Sequence, residues 1–381
     1  MTEPSRVLHV AGTGLRGSGY PNATRTIAIL RERLGVEVRD RARWLPEGTV
    51  LWRQASGKAS ALAFLLKLGL LNALEALRIL VRAGTRSPVY APYPAIFLLW
   101  WLSWVPGRLR PKVIADAYVS LWDSAFRDRR VGRESGLLSR LVRRFEGRAL
   151  RAAHCVLVDT VANRDLYVAE FGIAPSRIRA IPLAIDPVEV PARGDGADAD
   201  TGVLKVLFIG TLVPLHGIRV VADAIRRLAG AGDRFEFTIV GDGQDAEALE
   251  QLKAEGGGQF TWVRGWQSMD GLLGHIATAD LCLGVFGGDG KAARVLPFKV
   301  YLALAAGRAV VTQHSYSLPE GIPDPPVHGV APEGVALARA LEELARDRAK
   351  LRALSAQAAA YYRDFLSADR IAGCWRSLLE D

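Results

Sequence analysis

The sequence predicts an α/β protein made of two doubly wound, Rossmann-like domains that face a central cleft. Three observations carry this expectation. Short β-type runs alternate with helix-period patterns along almost the whole chain, as they do where helices cover parallel sheets. A low-hydrophobicity stretch from Pro187 to Gly202 interrupts the alternation and reads as an interdomain linker. The 381 residues suffice for two domains at about 100–200 residues each.

In the first half, runs at 7–10, 36–38, 88–90, 112–115, 155–158 and 178–181 read as strands, with helical patterns at 23–34, 136–152 and 161–171. Beyond the linker, strands are expected at 204–209, 235–240, 260–263, 281–285 and 309–312, with a helix at 218–228. Helical patterns from 334 to 366 and one at 368–379 close the chain. The expected organisation is a domain over 1–190, a linker at 191–202, a second domain over 203–366, and a terminal helix at 367–381 that returns to the first domain.

Half of the residues are hydrophobic and 23% are charged, which excludes a disordered chain or a disulfide mini-domain. Cys155, Cys282 and Cys374 are far apart and form no CxxC or Cys/His pair, so no zinc site or disulfide framework is expected. No secretory signal is apparent at the start, and a cytoplasmic location is expected.

Positive charge is concentrated early. Residues 1–190 hold 29 of the 49 Lys and Arg but 16 of the 40 Asp and Glu. No zinc-finger, basic-zipper or RNA-recognition signature accompanies this excess, so nucleic acid is not an expected partner. Two greasy segments lie in the same half: 59–81, broken by Lys67, Asn72, Glu75 and Arg78, and the uncharged 95–105 with Trp100, Trp101 and Trp104. One is too interrupted and the other too short to span a bilayer, which takes about 20 apolar residues. Arg78, Arg82, Arg86, Arg108, Arg110 and Lys112 accompany these segments. The combination fits an amphipathic contact with an anionic membrane, or two core helices with solvated arginines.

Candidate phosphate-facing loops follow the strands. Gly12, Gly14 and Gly17 satisfy G-x-G-x-x-G after the first strand, and read either as an anion loop or as a tight turn. In the second half come Gly210-Thr-Leu-Val-Pro-Leu-His-Gly217, Ile239-Val-Gly-Asp-Gly243, Val263-Arg-Gly-Trp-Gln267, and a run from Gly287 through Gly288 to Tyr301. All lie just after strands, where open α/β sheets bind ligands. In the last run Lys291, Arg294 and Lys299 surround a helix start near Pro297. Cations there oppose the helix dipole by about 0.3–1 kcal/mol each when exposed. A bound pyrophosphate would reverse that sign.

Taken in order, F-I-G-T-L-V-P-L-H-G-I, I-V-G-D-G, V-R-G-W, A-D-L-C-L-G-V-F and K-V-Y-L-A-L-A-A-G-R-A-V-V resemble the retaining GT-B glycosyltransferases of family 4, also called group 1. The resemblance covers nearly the whole chain. It implies transfer of a sugar from a nucleotide-diphosphate donor, UDP- or GDP-linked, with retention and with neither metal nor cofactor. The implied acceptor is lipid-linked or a polysaccharide, in bacterial cell-surface glycan synthesis at the inner face of the plasma membrane. A non-catalytic partner subunit and a nucleotide-sugar epimerase on the same fold are the alternatives.

Carried over by position, Gly210 and Thr211 meet the donor phosphates, with Gly241, Gly288 and Lys291 on neighbouring loops and Gly265 and Trp266 at the base. The family commonly has Arg where Thr211 stands and Lys where His216 stands. Its Glu-x7-Glu pair falls on Arg294 and Leu302, so both glutamates are missing, and the second would hold the ribose. Lys299, Arg294 and Lys291 are then the stabilisers of the leaving diphosphate, His216 adds a hydrogen bond, and Asp116 orients an acceptor hydroxyl or caps a loop. The Asp198-Ala-Asp200 triplet reads as solvated linker and not as a metal site.

Overall fold

The computed structural model describes residues 7–17, 20–47, 49, 58–82, 87–185 and 202–380. The expected linker, with Asp198 and Asp200, lies outside them except for Gly202, as does Arg86. The chain divides into two compact units, one of Met1–Asp186 with Ser367–Asp381 and one of Pro187–Leu366.

The first unit contains β1 (Val7–Val10), β2 (Thr13–Gly14), β3 (Glu37–Asp40), β4 (Arg43–Trp44), β5 (Val89–Ala91), β6 (Val113–Asp116), β7 (Cys155–Val158) and β8 (Ile178–Ala180). Six of them form an all-parallel sheet in the order β3-β1-β5-β6-β7-β8. Its strands β5, β6 and β7 are buried throughout, which is why they are nearly continuous apolar runs. β2 and β4 form a separate two-stranded pair.

Helices cover both faces. On one, Lys58–Arg82, Ile96–Leu102, Leu137–Leu150 and Val161–Phe171 surround a core that includes Leu98, Trp122 and Val156. On the other, Asn22–Leu34 packs with the terminal helix Ala368–Glu380, whose Trp375 is fully buried edge-on to Tyr90. Helix Val161–Phe171 illustrates local encoding. Thr160 caps its first turn by accepting from the Asn163 N–H, and Gly172 ends it at φ +63°, a conformation that a glycine enters without Cβ strain.

The second unit contains β9 (Leu204–Ile209), β10 (Phe235–Val240), β11 (Phe260–Val263), β12 (Leu281–Leu283), β13 (Ala309–Gln313) and β14 (His328–Val330). They form one parallel sheet in the order β11-β10-β9-β12-β13-β14. This is the 3-2-1-4-5-6 order of dinucleotide-binding sheets, and the order reverses between β9 and β12. Helices Ile218–Leu228, Glu247–Ala254 and Gly334–Arg346 close the main core against one face. Among the described residues no helix is long and apolar enough to cross a membrane.

Candidate functional site

In the second unit the loops after β9 and β12 meet where the strand order reverses, the position at which open α/β sheets take ligands. Their backbones touch. Gly217 has φ +66°, and a Cβ there would lie 2.3 Å from the carbonyl of Phe286. The Phe286 N–H donates to the His216 carbonyl at 3.2 Å. Only a residue without a side chain allows this approach. The loop after β10 presses on the same place, because a Cβ on Gly241 would lie 1.8 Å from the Gly210 oxygen.

Into this junction project two side chains. The helix Phe298–Ala305 starts after Pro297, its N-cap, and carries Lys299 in its first turn. A Cβ on Gly210 would lie 2.8 Å from the Lys299 Nζ and 2.5 Å from the His216 Nδ1, so both side chains close on that glycine. Lys299 is half-buried as a residue, yet its Nζ is sealed from solvent and has no hydrogen-bond partner among the described residues. The nearest compensation is the face of Phe208, 3.9 Å from Nζ to the ring centroid. A cation–π contact is worth about 0.5–2 kcal/mol, well short of an ammonium's hydration, and burial pushes the Lys299 pKa well below the ordinary lysine value.

The other sequence candidates of this unit fall on the same carboxyl edge with different exposure. Thr211 is exposed and begins a loop in which the buried Leu212 holds φ +42°, a strained conformation for a branched side chain. Lys291 and Arg294 bracket a single 3-10 turn, Ala292–Arg294, and both are half-buried with partners of their own. Lys299 therefore differs in kind from these two cations. Gly265 and Trp266 are exposed after β11. Arg264 ties that loop to Asp242 and Glu250 and stacks on Trp262. Leu302 is 1% exposed in the interior of its helix, so its side chain presents nothing to a ribose on the loop surface.

One contributor escaped the sequence reading. Gln313 ends β13, is buried, and holds Gly288 at both backbone groups, accepting from its N–H at 2.8 Å and donating to its carbonyl at 2.9 Å. It fixes the glycine-rich loop that precedes Lys291.

In the first unit the remaining candidates, Gly12, Gly14, Gly17 and Asp116, are engaged with other parts of that unit. Gly12 and Gly14 are buried and do not open a helix; their carbonyls accept from Arg43 and Leu45 in the β2–β4 pair. Trp44 packs where a Cβ on Gly14 would sit and Glu47 where one on Gly17 would sit. These glycines make room for side chains, and the carboxylate beside Gly17 would repel an anion. Asp116 faces inward, 1% exposed, and accepts from Tyr20 at 2.5 Å, Tyr90 at 3.0 Å and Asn22 at 3.2 Å. Burial raises its pKa to about 6 against these hydrogen bonds. It braces β6 against helix Asn22–Leu34, and both of its oxygens already accept hydrogen bonds within the unit.

No group of three or more His, Cys, Asp or Glu among the described residues could hold a metal ion.

With this geometry in view, comparison with known proteins is specific for the second unit. Residues 204–347 match the family Glycosyl transferases group 1. A curated relative, the 2-deoxystreptamine glucosyltransferase of Streptomyces kanamyceticus, is 32% identical over 129 residues. That match covers 31% of this chain and 32% of the relative, so the chain spans about a third of the curated protein it matches. Solved structures extend the likeness to both units. HepE of Anabaena in complex with UDP-glucose gives a TM-score of 0.66 at 14% identity, over 98% of this chain and 99% of that one. Sucrose-phosphate synthase of Thermosynechococcus elongatus gives 0.72 at 15% identity, over 98% of each. The fold is GT-B. The match to glycosyl transferases group 1 falls within the second Rossmann-like domain, and the Lys299–Gly210 junction lies inside the matched residues.

Proposed function

We propose that the chain is a retaining, metal-independent glycosyltransferase of family 4. It moves a sugar from a UDP- or GDP-linked donor to a lipid-linked or polysaccharide acceptor, at the anionic inner face of the plasma membrane in cell-surface glycan synthesis. The observation that carries this is the Lys299 Nζ, buried without a hydrogen-bond partner among the described residues at the carboxyl edge of the second sheet. A buried ammonium is costly unless paired, and a donor diphosphate resting on the loop after β9 supplies the missing charge.

On this reading Gly210, Thr211, Gly241 and Gly288 let backbone groups approach the donor, and Trp266 meets the base. Lys299 stabilises charge as the bond between the anomeric carbon and the diphosphate oxygen breaks, with Arg294, Lys291 and His216 around it. The acceptor oxygen bonds to the anomeric carbon on the same face, and its proton passes to the departing diphosphate. No nucleophile from the protein is needed.

UDP-glucose is the first donor to try, given the ligand of HepE and the name of the Streptomyces relative. The membrane assignment is supported by exposed Leu66, Leu70, Leu77 and Trp101 on neighbouring helices of the first unit, with exposed Trp104 in the turn that follows. Arg148 lies 3.6 Å over Trp104. Arg78, Arg108 and Lys112 are exposed as well, whereas Arg110 turns inward to the Val105 and Ala152 carbonyls.

Release of nucleotide from UDP- and GDP-sugars, with membrane extract as acceptor, tests the proposal. Lys299→Ala is expected to lower turnover by about 10²–10³-fold, the usual loss for one preorganised charge donor. Unimpaired turnover in that variant removes the assignment. Leu302, buried where the resemblance places a ribose-binding carboxylate, favours a second reading as a non-catalytic partner. UDP binding without turnover on any donor would support that one.

A further inference from the structure

The first unit holds a cavity of about 470 Å³ that the donor site does not use. Its walls are His9, Val10 and Ala11 along the end of β1, Arg41 just after β3, and Glu75 and Arg78 of helix Lys58–Arg82. It opens at the carboxyl ends of two adjacent parallel strands, the edge that takes ligands.

The charge around it is unbalanced. Glu75 is buried and shared by two guanidiniums, Arg43 at 3.0 Å and Arg78 at 2.5 Å. Exposed Arg41 has no carboxylate partner among the described residues. In the cavity wall itself two guanidiniums, Arg41 and Arg78, thus accompany one carboxylate, Glu75. The His9 imidazole is 8% exposed and titrates below its ordinary value, through burial first and then the charges of Arg41 and Arg39, with Glu37 opposing.

The same helix turns an apolar stripe to solvent. Leu66, Leu70, Leu74, Leu77 and Val81 are 43–76% exposed, and their spacing of three and four residues puts them on one face. Arg78 follows Leu77 by about 100° around the helix, so it lies on the flank of the stripe and in the cavity wall together. A helix lying in a bilayer interface buries its apolar face at the acyl boundary and holds its basic flank level with the headgroups.

We propose that this cavity receives the phosphate of an anionic lipid headgroup, held by Arg41 and Arg78 with His9 as a hydrogen-bond donor, while the leucine stripe enters the acyl boundary. The proposal rests on the membrane-surface part of the function proposed above, and gives that surface a defined lipid site.

Flotation of the full chain with vesicles of phosphatidylcholine, alone or mixed with phosphatidate, tests it. The variants are Arg41→Ala, Leu70→Asp and Arg140→Ala, the last an exposed arginine outside the cavity. Arg41→Ala is expected to weaken binding to phosphatidate vesicles by at least about tenfold. Arg140→Ala should cost about fivefold or less, the loss for one diffuse charge near an anionic surface. Leu70→Asp should abolish flotation. NMR titration of His9 should show its pKa rising when phosphatidate vesicles are added, and this rise should vanish in Arg41→Ala. Equal losses in the two arginine variants with His9 unmoved would overturn the cavity and leave the membrane surface standing. A wild-type chain that floats with neither vesicle would overturn both. A His9 shift with inorganic phosphate but none with vesicles would assign the cavity to free phosphate and overturn the lipid.

Discussion

The Lys299 Nζ sits 3.9 Å from the centroid of the Phe208 ring, shut off from water and without a hydrogen-bond partner among the described residues. Phe208 is fully buried in β9, so the lysine spans from the first turn of its helix to the strand that begins the domain. In this state the neutral amine is favoured, because burial penalises the cation and the Phe208 ring repays only part of that cost.

Stability should respond accordingly. A lysine whose folded pKa is depressed binds fewer protons folded than unfolded, so its cost is absent above the ordinary value of 10.5 and grows as pH falls through the gap. Lys299→Met is expected to stabilise the unliganded protein at neutral pH by about 1–3 kcal/mol, the cost of an unsatisfied buried donor. Thermal melts from pH 7 to 10 should show the gain shrinking as pH rises. A destabilised Lys299→Met at every pH would mean the amine has a partner.

Two glycines should fail differently. At Gly210 an added Cβ first meets the ends of His216 and Lys299, whereas at Gly241 it meets the Gly210 carbonyl at 1.8 Å with φ at +133°. Gly210→Ala should lower nucleotide affinity by displacing the two side chains while the melting temperature stays within a few degrees. Gly241→Ala should destabilise the domain by at least about 2–3 kcal/mol, because backbone must shift and a strained φ persists. Denaturant melts beside UDP titrations separate the two.

Asp116 titrates in the opposite sense to an ion-paired carboxylate. Its pKa rises from 3.8 to about 6 on folding, so its contribution to stability is complete below the unfolded value and is lost as pH climbs through about 6. Asp116→Asn should flatten the stability profile between pH 4 and 6, read as melting temperature against pH. An unchanged slope would show that the carboxyl titrates alike in both states.

Much of the architecture was legible in the sequence because parallel strands buried on both faces leave unmistakable apolar runs. The strands Val7–Val10, Cys155–Val158, Leu204–Ile209, Phe235–Val240 and Phe260–Val263 have the limits read from the chain. The β2–β4 pair went unseen because two-residue strands carry no period, and His328–Val330 because it is a short edge strand containing a glycine. The loops of the candidate site were legible from glycine and position. The burial of Lys299 was not, since a first-turn lysine reads as a solvated side chain until Phe208 and Gly210 are placed around it. Gln313 looked like any strand-end amide, and its two bonds to Gly288 depend on a residue 25 positions away. The sequence leaves Asp116 open between orienting an acceptor hydroxyl and capping a loop, because its partners Tyr20, Asn22 and Tyr90 are remote from it in sequence.

The most direct measurement is calorimetry of UDP binding at pH 8 in buffers of different ionisation enthalpy. If the diphosphate pairs with the Lys299 amine, binding draws a proton from the buffer, and both the uptake and most of the affinity disappear in Lys299→Met. Binding of equal strength to the wild type and the variant, with no proton taken up by either, would contradict the account.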